Sequence, residues 1–239
     1  VHLLEGNKLT INFGGLTAVS EVDFYVDKGD ILGLIGPNGA GKTTLFNLIS
    51  ATLTPKSGTI TFKSRNITGV KPYQVCRLGI ARTFQTVKIF ANMTVLDNVR
   101  LAALFGDSKK PSEAEATKAA MDLLEFVGLV GAAGIPARGL TLGNQKRIEV
   151  ARALASRPEL LLLDELMAGL NQTEIAEAMD LVRKIRDRGV TIIMIEHVMK
   201  AIMNVCDRII VLNYGKKIAE GTPQEIANSK IVVEVYLGE

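Results

Sequence analysis

With 239 residues, 47 % of them hydrophobic and 22 % charged, the chain can build one large soluble domain, or one domain carrying an inserted subdomain, and is not a disordered sequence. A formal charge of +3, spread over scattered lysines and arginines with no basic tract between aromatics, argues against nucleic acid as a partner. No apolar run approaches the roughly 18 residues that cross a bilayer, and no basic-then-apolar leader opens the chain, so neither a membrane span nor a secretory signal is expected.

In chain order, Leu9–Phe13 alternates as a strand, Gly14-Gly15 turns, and Ala18–Val26 alternates again. With the short run Gly58–Phe62 these predict a small antiparallel sheet. Ile31–Ile35 is an apolar strand that enters a glycine-rich loop, and Thr44–Ile49 leaves that loop with helical character. Tyr73–Leu78 predicts a short helix and Ile80–Phe84 a strand. Val95–Leu104 and Pro111–Val127 carry apolar residues at spacings of three and four, and Pro and Glu in the first turn open the second of them. Lys109-Lys110, between the two, reads as a solvated loop. Gly128, Gly131 and Gly134 break the pattern, Asn144–Ser156 resumes it, and residues 88–157 together read as a helical insert. Leu160–Leu163, Val190–Ile195 and Arg208–Leu212 are apolar runs of strand length, with the amphipathic helix Ile175–Arg188 between the first two. Strands alternating with helices over 160–213 imply a buried parallel sheet and an α/β fold.

The loop Gly36-Pro37-Asn38-Gly39-Ala40-Gly41-Lys42-Thr43-Thr44 matches the phosphate-binding spacing Gly-x-x-x-x-Gly-Lys-[Ser/Thr]. Its glycines allow dihedrals that aim successive N–H groups at phosphate oxygens. Lys42 brings a positive charge to the β- and γ-phosphates, Thr43 a hydroxyl ligand for Mg²⁺, and the following helix its positive end. About 120 residues on, the run Leu160–Leu163 ends in Asp164-Glu165. Alone, such a pair is as often two solvated acids. Beside a phosphate loop, Asp164 is a candidate to hold Mg²⁺ through water, and Glu165 to polarise an attacking water. Gln85 and His197 each follow a predicted strand, which places them toward Mg²⁺ or the attacking water and toward the γ-phosphate, respectively. Thr141 is an N-cap candidate for a further helix whose start, with Gly143 and Asn144, can bind a phosphate. Cys76 and Cys206 lack CxxC spacing and read as reduced cytosolic thiols; with only His2 and His197, a multi-histidine metal site is excluded.

This order of motifs resembles the ATP-binding subunit of ABC transporters over essentially the whole chain. The resemblance matches Phe13 to the aromatic residue that stacks on adenine, Gly36–Thr44 to Walker A, and Gln85 to the Q-loop. Leu140–Asn144 match the signature, Asp164 and Glu165 match Walker B and its catalytic glutamate, Ala168–Asn171 match the D-loop, and His197 matches the switch histidine. It implies ATP with Mg²⁺ and a P-loop NTPase fold. That fold is a RecA-like parallel core with an antiparallel β subdomain and a helical subdomain. It also implies a head-to-tail dimer with a second ATPase subunit, identical or related, so that Thr141, Gly143 and Asn144 meet the partner's nucleotide. Transmembrane permease subunits and, indirectly, a solute-binding protein complete the implied assembly at the cytoplasmic face of the inner membrane. Phe13–Val19, Ala81–Gln85, Met93–Val95, Gln145–Arg152, Glu165–Asn171 and Val235–Glu239 are similar to the branched-chain amino acid importers' ATPase; the urea importer and lipopolysaccharide export ATPases share much of the pattern. Thr141, Leu142 and Asn144 depart from Leu-Ser-Gly-Gly-Gln, and Leu166 stands where a proline is usual, which loosens the turn after Glu165. Ile89, Phe90 and Met93 are expected to line a groove for a short helix of a membrane partner, the alternative being that they are buried within the chain.

Overall fold

The computed structural model describes residues 2–106 and 111–237; Lys109-Lys110 and the last two residues of Val235–Glu239 lie outside the described residues. β1 (Leu4–Phe13) turns into β2 (Leu16–Val26), and β3 (Ile31–Ile35) leads through the glycine-rich loop into α1 (Lys42–Ile49). β4 (Ser57–Phe62), β5 (Arg65–Asn66), α2 (Pro72–Leu78) and β6 (Ile80–Arg82) follow. Then come α3 (Val95–Gly106), α4 (Glu113–Phe126) and α5 (Leu142–Ala155), which pack on one another. The chain continues as β7 (Leu160–Asp164), α6 (Gln172–Asp187), β8 (Thr191–Ile195), α7 (Met199–Val205), β9 (Arg208–Asn213), β10 (Lys216–Gly221), α8 (Pro223–Ala227) and α9 (Lys230–Leu237). No helix among the described residues is long and apolar enough to cross a membrane.

Two sheets form. One is antiparallel in the order β2-β1-β4-β5; the other runs β10-β9-β3-β8-β7-β6, parallel throughout except for β10 against β9. The continuous apolar runs have a simple cause. Alternate residues of β7 enter opposite cores: Leu161 and Leu163 pack with the helices of the insert, while Leu160 and Leu162 pack with α1 and the antiparallel sheet. β8 and β9 divide in the same way, with Ile192 and Ile209 on one side and Ile193 and Ile210 on the other. A strand buried on both faces has no polar face to alternate with.

β5, α7, β10, α8 and α9 have no counterpart in the sequence-based expectation, and β1 and β6 differ from it in their bounds. β1 begins at Leu4 rather than Leu9, because Leu4 pairs with both Val26 and Phe62 although the polar stretch Glu5–Lys8 hides the alternation. β6 ends at Arg82 rather than Phe84: the Thr83 N–H still donates to Leu162 O at 2.9 Å, but Phe84 turns outward to 39 % exposure. The helix starts follow capping chemistry. Ser112 caps α4 with Glu115 in a reciprocal box, and Asn171 caps α6 with Glu174 in another, so the amide does the capping work an aspartate would do there.

Candidate functional site

The site grows from the C-terminal edge of the parallel sheet, where open α/β sheets place ligands. Adjacent strands β3, β8, β7 and β6 deliver, side by side, the glycine-rich loop, His197, Asp164-Glu165 and Gln85. A cleft of about 410 Å³ opens there. Asn38 to Thr44, Gln85, Glu165 and His197 line it, with Phe13 at its rim, 49 % exposed. Gly36 and Pro37 are not on its wall; they lie beneath, and their carbonyls accept from the Lys42 ammonium at 2.7 and 2.9 Å.

Two glycines of the loop are dictated by close approach. Gly36 has φ 147°, and a Cβ there would sit 2.1 Å from Leu212 O; Gly41 has φ 102°, and its Cβ would sit 2.3 Å from Ala18 O. α1 starts at Lys42 with no side chain capping it, so its first N–H groups face the cleft as an anion cradle. Burial pushes the Lys42 pKa down, and the charges of Glu165 and Asp164 oppose that.

Asp164 ends β7 at 2 % exposure. Its Oδ2 accepts from Arg82 at 2.8 Å, and its backbone N–H donates to Thr83 Oγ1 at 3.1 Å. Burial pushes its carboxyl pKa up against the pull of Arg82. Oδ1 has no hydrogen-bond partner among the described residues. A carboxylate with one oxygen engaged and one free, at a strand end, fits a hard divalent cation held partly through water. Glu165, next in the chain, sits in the left-handed region at φ 52°. Its Oε2 accepts from Gln85 Nε2 at 3.1 Å, and its Oε1 lies 3.0 Å from His197 Nε2. Gln85 and His197 therefore converge on the Glu165 carboxylate at the cleft.

The segment Thr141–Asn144 is not part of this cleft. Thr141 caps α5 as expected, its side chain accepting from Asn144 N. Gly143 is buried, and a Cβ there would lie 2.9 Å from Glu174 Oε1 at the tip of a side chain of α6. Leu166 does not loosen the turn after Glu165. It is 5 % exposed and packed in the core, and the turn is bonded on both sides: Met167 N–H donates to Glu196 Oε1 at 2.8 Å, and Lys146 Nζ donates to the carbonyls of Glu165 and Ala168.

Arg82, Lys146, Glu196 and Tyr214 were not legible as site residues. Lys146 had a signal: Gly143, Lys146 and Val150 share one helical face, and that face is buried. Glu196 is held at 2 % exposure, and burial pushes its pKa up to about 7. A raised folded-state pKa favours folding below the ordinary carboxylate value near 4.5, and that contribution is lost as pH rises through about 7. The protein should therefore lose about 3 kcal/mol between those limits relative to Glu196→Gln. Denaturant titrations of both proteins across that range check this; parallel pH profiles would refute it.

A second cleft, of about 720 Å³, lies between α2, β6 and the insert helices. Ile89 and Phe90 line it, and Phe90 is 45 % exposed; Met93 does not line it, because the chain has already turned toward Ala137, whose N–H bonds the Met93 carbonyl. Asn98, fully buried, fixes the bend by bonding both the N–H and the carbonyl of Phe90, at 2.8 and 3.0 Å.

A family profile described as ABC transporter matches residues 19–168. The chain belongs to the ABC transporter family. A second profile, for the branched-chain amino acid ATP-binding cassette transporter, matches residues 216–239 of this ABC protein. It is 43 % identical to the high-affinity branched-chain amino acid transport ATP-binding protein LivG of Salmonella typhimurium, over 99 % of this chain and 98 % of the relative. It is 40 % identical, with the same coverage, to the corresponding protein BraF of Pseudomonas aeruginosa. Among solved structures, the ADP conformation of an ATP-binding cassette of an ABC transporter superposes with a TM-score of 0.90 at 32 % identity, covering all of both chains. The parallel core, antiparallel sheet and helical region are those of the ABC cassette fold.

Proposed function

We propose that this chain is the ATP-hydrolysing subunit of an ABC importer of branched-chain amino acids. The observation that carries the reading is the full-length similarity to branched-chain amino acid ATP-binding proteins together with the separate match of residues 216–239. Its place is the cytoplasmic face of the inner membrane, against transmembrane permease subunits that receive solute from a binding protein. It pairs with a second ATPase subunit, identical or related, and Thr141, Gly143 and Asn144 face the partner's nucleotide.

Phe13 stacks on the adenine, and the loop N–H groups, the α1 N-terminus and Lys42 hold the phosphates. Thr43, Gln85 and Asp164 are the residues that would hold Mg²⁺, which supplies charge neutralisation at the phosphate oxygens when bound. Glu165 polarises water for in-line attack on the γ-phosphate, and His197 orients that water while Gln85 reports the γ-phosphate toward the second cleft. Lys42 and the partner's α5 N-terminus stabilise the charge that develops.

The second cleft is where a short cytoplasmic helix of the permease docks. It is continuous with the segment that leaves Gln85, and Phe90 stands exposed on its wall although Asn98 holds its backbone rigidly. Phe90→Glu should abolish assembly with the permease or uncouple transport, while ATP affinity of the isolated subunit stays within about threefold, since the substitution changes only the docking wall. Co-purification from membranes and leucine uptake in reconstituted vesicles measure this. A variant that assembles and transports normally would remove the cleft from the coupling path. Wild-type vesicles that couple ATP to no branched-chain amino acid would overturn the solute assignment instead.

A further inference from the structure

Lys146 is a buried ammonium that the chemistry above leaves without a task. It is 6 % exposed and lies on α5, one turn past the Thr141 cap. Its Nζ donates to Glu165 O at 2.8 Å and to Ala168 O at 2.7 Å, the two carbonyls that bracket Leu166-Met167. Three carboxylates, Glu196, Glu165 and Glu149, act on its charge and oppose the downward push of burial on its pKa. Glu196 holds the same turn from the other side through the Met167 N–H.

The turn needs holding. Glu165 adopts φ 52°, a region that costs a residue with a side chain on the order of 1–2 kcal/mol and persists only where the surroundings fix it. Its N–H is bonded to Ile195 O at 2.9 Å, within the sheet. Its carbonyl depends on Lys146, and an Ala168 N–H at 3.3 Å is the weaker contact. An ammonium donating to two carbonyls at once also fixes the separation of those carbonyls, and charge-assisted bonds are the stronger kind.

We propose that Lys146 is a positioning residue for ATP hydrolysis: by clamping the Glu165 and Ala168 carbonyls it fixes the Glu165 carboxylate between Gln85 and His197, and it makes that position depend on where α5 stands. The proposal rests on the reading of Glu165 as the group that polarises water. Because α5 begins at Thr141–Gly143, which in that reading faces the partner's nucleotide, one side chain joins the two nucleotide sites that a subunit touches. An α5 displaced by the partner carries Lys146, and with it the backbone on both sides of the turn.

The test is Lys146→Met, which keeps the unbranched stem and removes the donors, with Lys146→Arg as the conservative variant, in the assembled transporter. In Lys146→Met, kcat should fall about 10- to 100-fold while KM and the affinity for a fluorescent ATP analogue stay within about threefold, the loss expected when a charge-assisted contact acts on the chemical step alone. Lys146→Arg should recover most of the turnover. Single-turnover assays with radiolabelled ATP add a second readout: Lys146→Met placed on Glu165→Gln should produce no further loss, because both act through one carboxylate. Near wild-type turnover in Lys146→Met, a loss of nucleotide affinity in proportion to rate, or an additive loss in the double variant would each overturn the proposal. If Lys146→Met does not fold, Lys146→Gln, whose shorter, uncharged amide cannot make charge-assisted bonds to both carbonyls, is read by the same kcat and KM split, and wild-type turnover in it overturns the proposal. Failure of the underlying reading looks different: Glu165→Gln alone would then turn over at the wild-type rate, whatever Lys146 does.

Discussion

Glu165→Gln should bind ATP with near wild-type affinity and turn it over about 100- to 1000-fold more slowly, a loss of the size seen when one group acting on the transition state is removed. The amide preserves the shape of the carboxylate, so the contacts to Gln85 and His197 can persist in a re-paired form, but it cannot accept a proton from water. The phosphate loop is untouched, since Lys42 is anchored on Gly36 and Pro37 rather than on Glu165. ATP should therefore accumulate in the closed dimer, and gel filtration with ATP should show a stable dimer where the wild type returns to monomer after hydrolysis. Hydrolysis near the wild-type rate in the reconstituted transporter would mean that another group activates the water. Persistence of a monomer on ATP would mean that dimer opening is not tied to this carboxylate.

What the sequence made legible follows from how local each signal is. The glycine-rich loop, the acids after Leu160–Leu163, Gln85 and His197 all sit where an apolar strand ends, and a strand end is read within five or six residues. That these ends lie side by side needed only the parallel alternation of strands and helices. Residues whose task is set by a neighbour far along the chain stayed hidden. Gly143 reads as a place for backbone to approach an anion, and nothing local announces that it also packs beside Glu174, 31 positions later in the numbering. Leu166 looked like a loosened turn, because no local pattern announces that Lys146 and Glu196 grip the backbone around it. Met93 sits two residues after Ala91 on a segment whose direction is set by Asn98 and by a bond to Ala137, so its proximity to Phe90 in the chain did not put it on the same wall.

Arg82 belongs to that hidden class, and its removal should have the largest effect on stability. Its guanidinium donates to Asp164 Oδ2 at 2.8 Å and to Asn47 Oδ1 at 2.5 Å, and more weakly to Ser50 Oγ at 3.3 Å. Arg82 thereby ties β6 to the end of β7 and to α1, the helix that carries the phosphate loop. The pair is closed to water, with the two side chains 8 % and 1 % exposed. Breaking a buried ion pair from one side leaves an uncompensated charge, and the cost is about 3–5 kcal/mol. Arg82→Met should therefore lower the melting temperature by about 10 °C for a chain of this size. The sign of the pH dependence follows from Asp164. Burial already pushes its carboxyl pKa up, and Arg82 is the main group holding it down. Without Arg82 the folded-state pKa rises further, so the carboxyl favours folding in acid and that contribution disappears as pH rises through the folded value. The variant should be closest to the wild type in mild acid and fall away from it toward neutral and alkaline pH. Asp164→Asn on the Arg82→Met background should recover much of the stability, because a neutral amide removes the stranded charge, and should recover none of the ATPase activity. Calorimetry of the three proteins across that range separates the cases. An Arg82→Met protein that melts within about 2 °C of the wild type at neutral pH would show that Asp164 is solvated well enough without its partner. A double variant no more stable than Arg82→Met would place the loss in the contacts to Asn47 and Ser50 rather than in the buried charge.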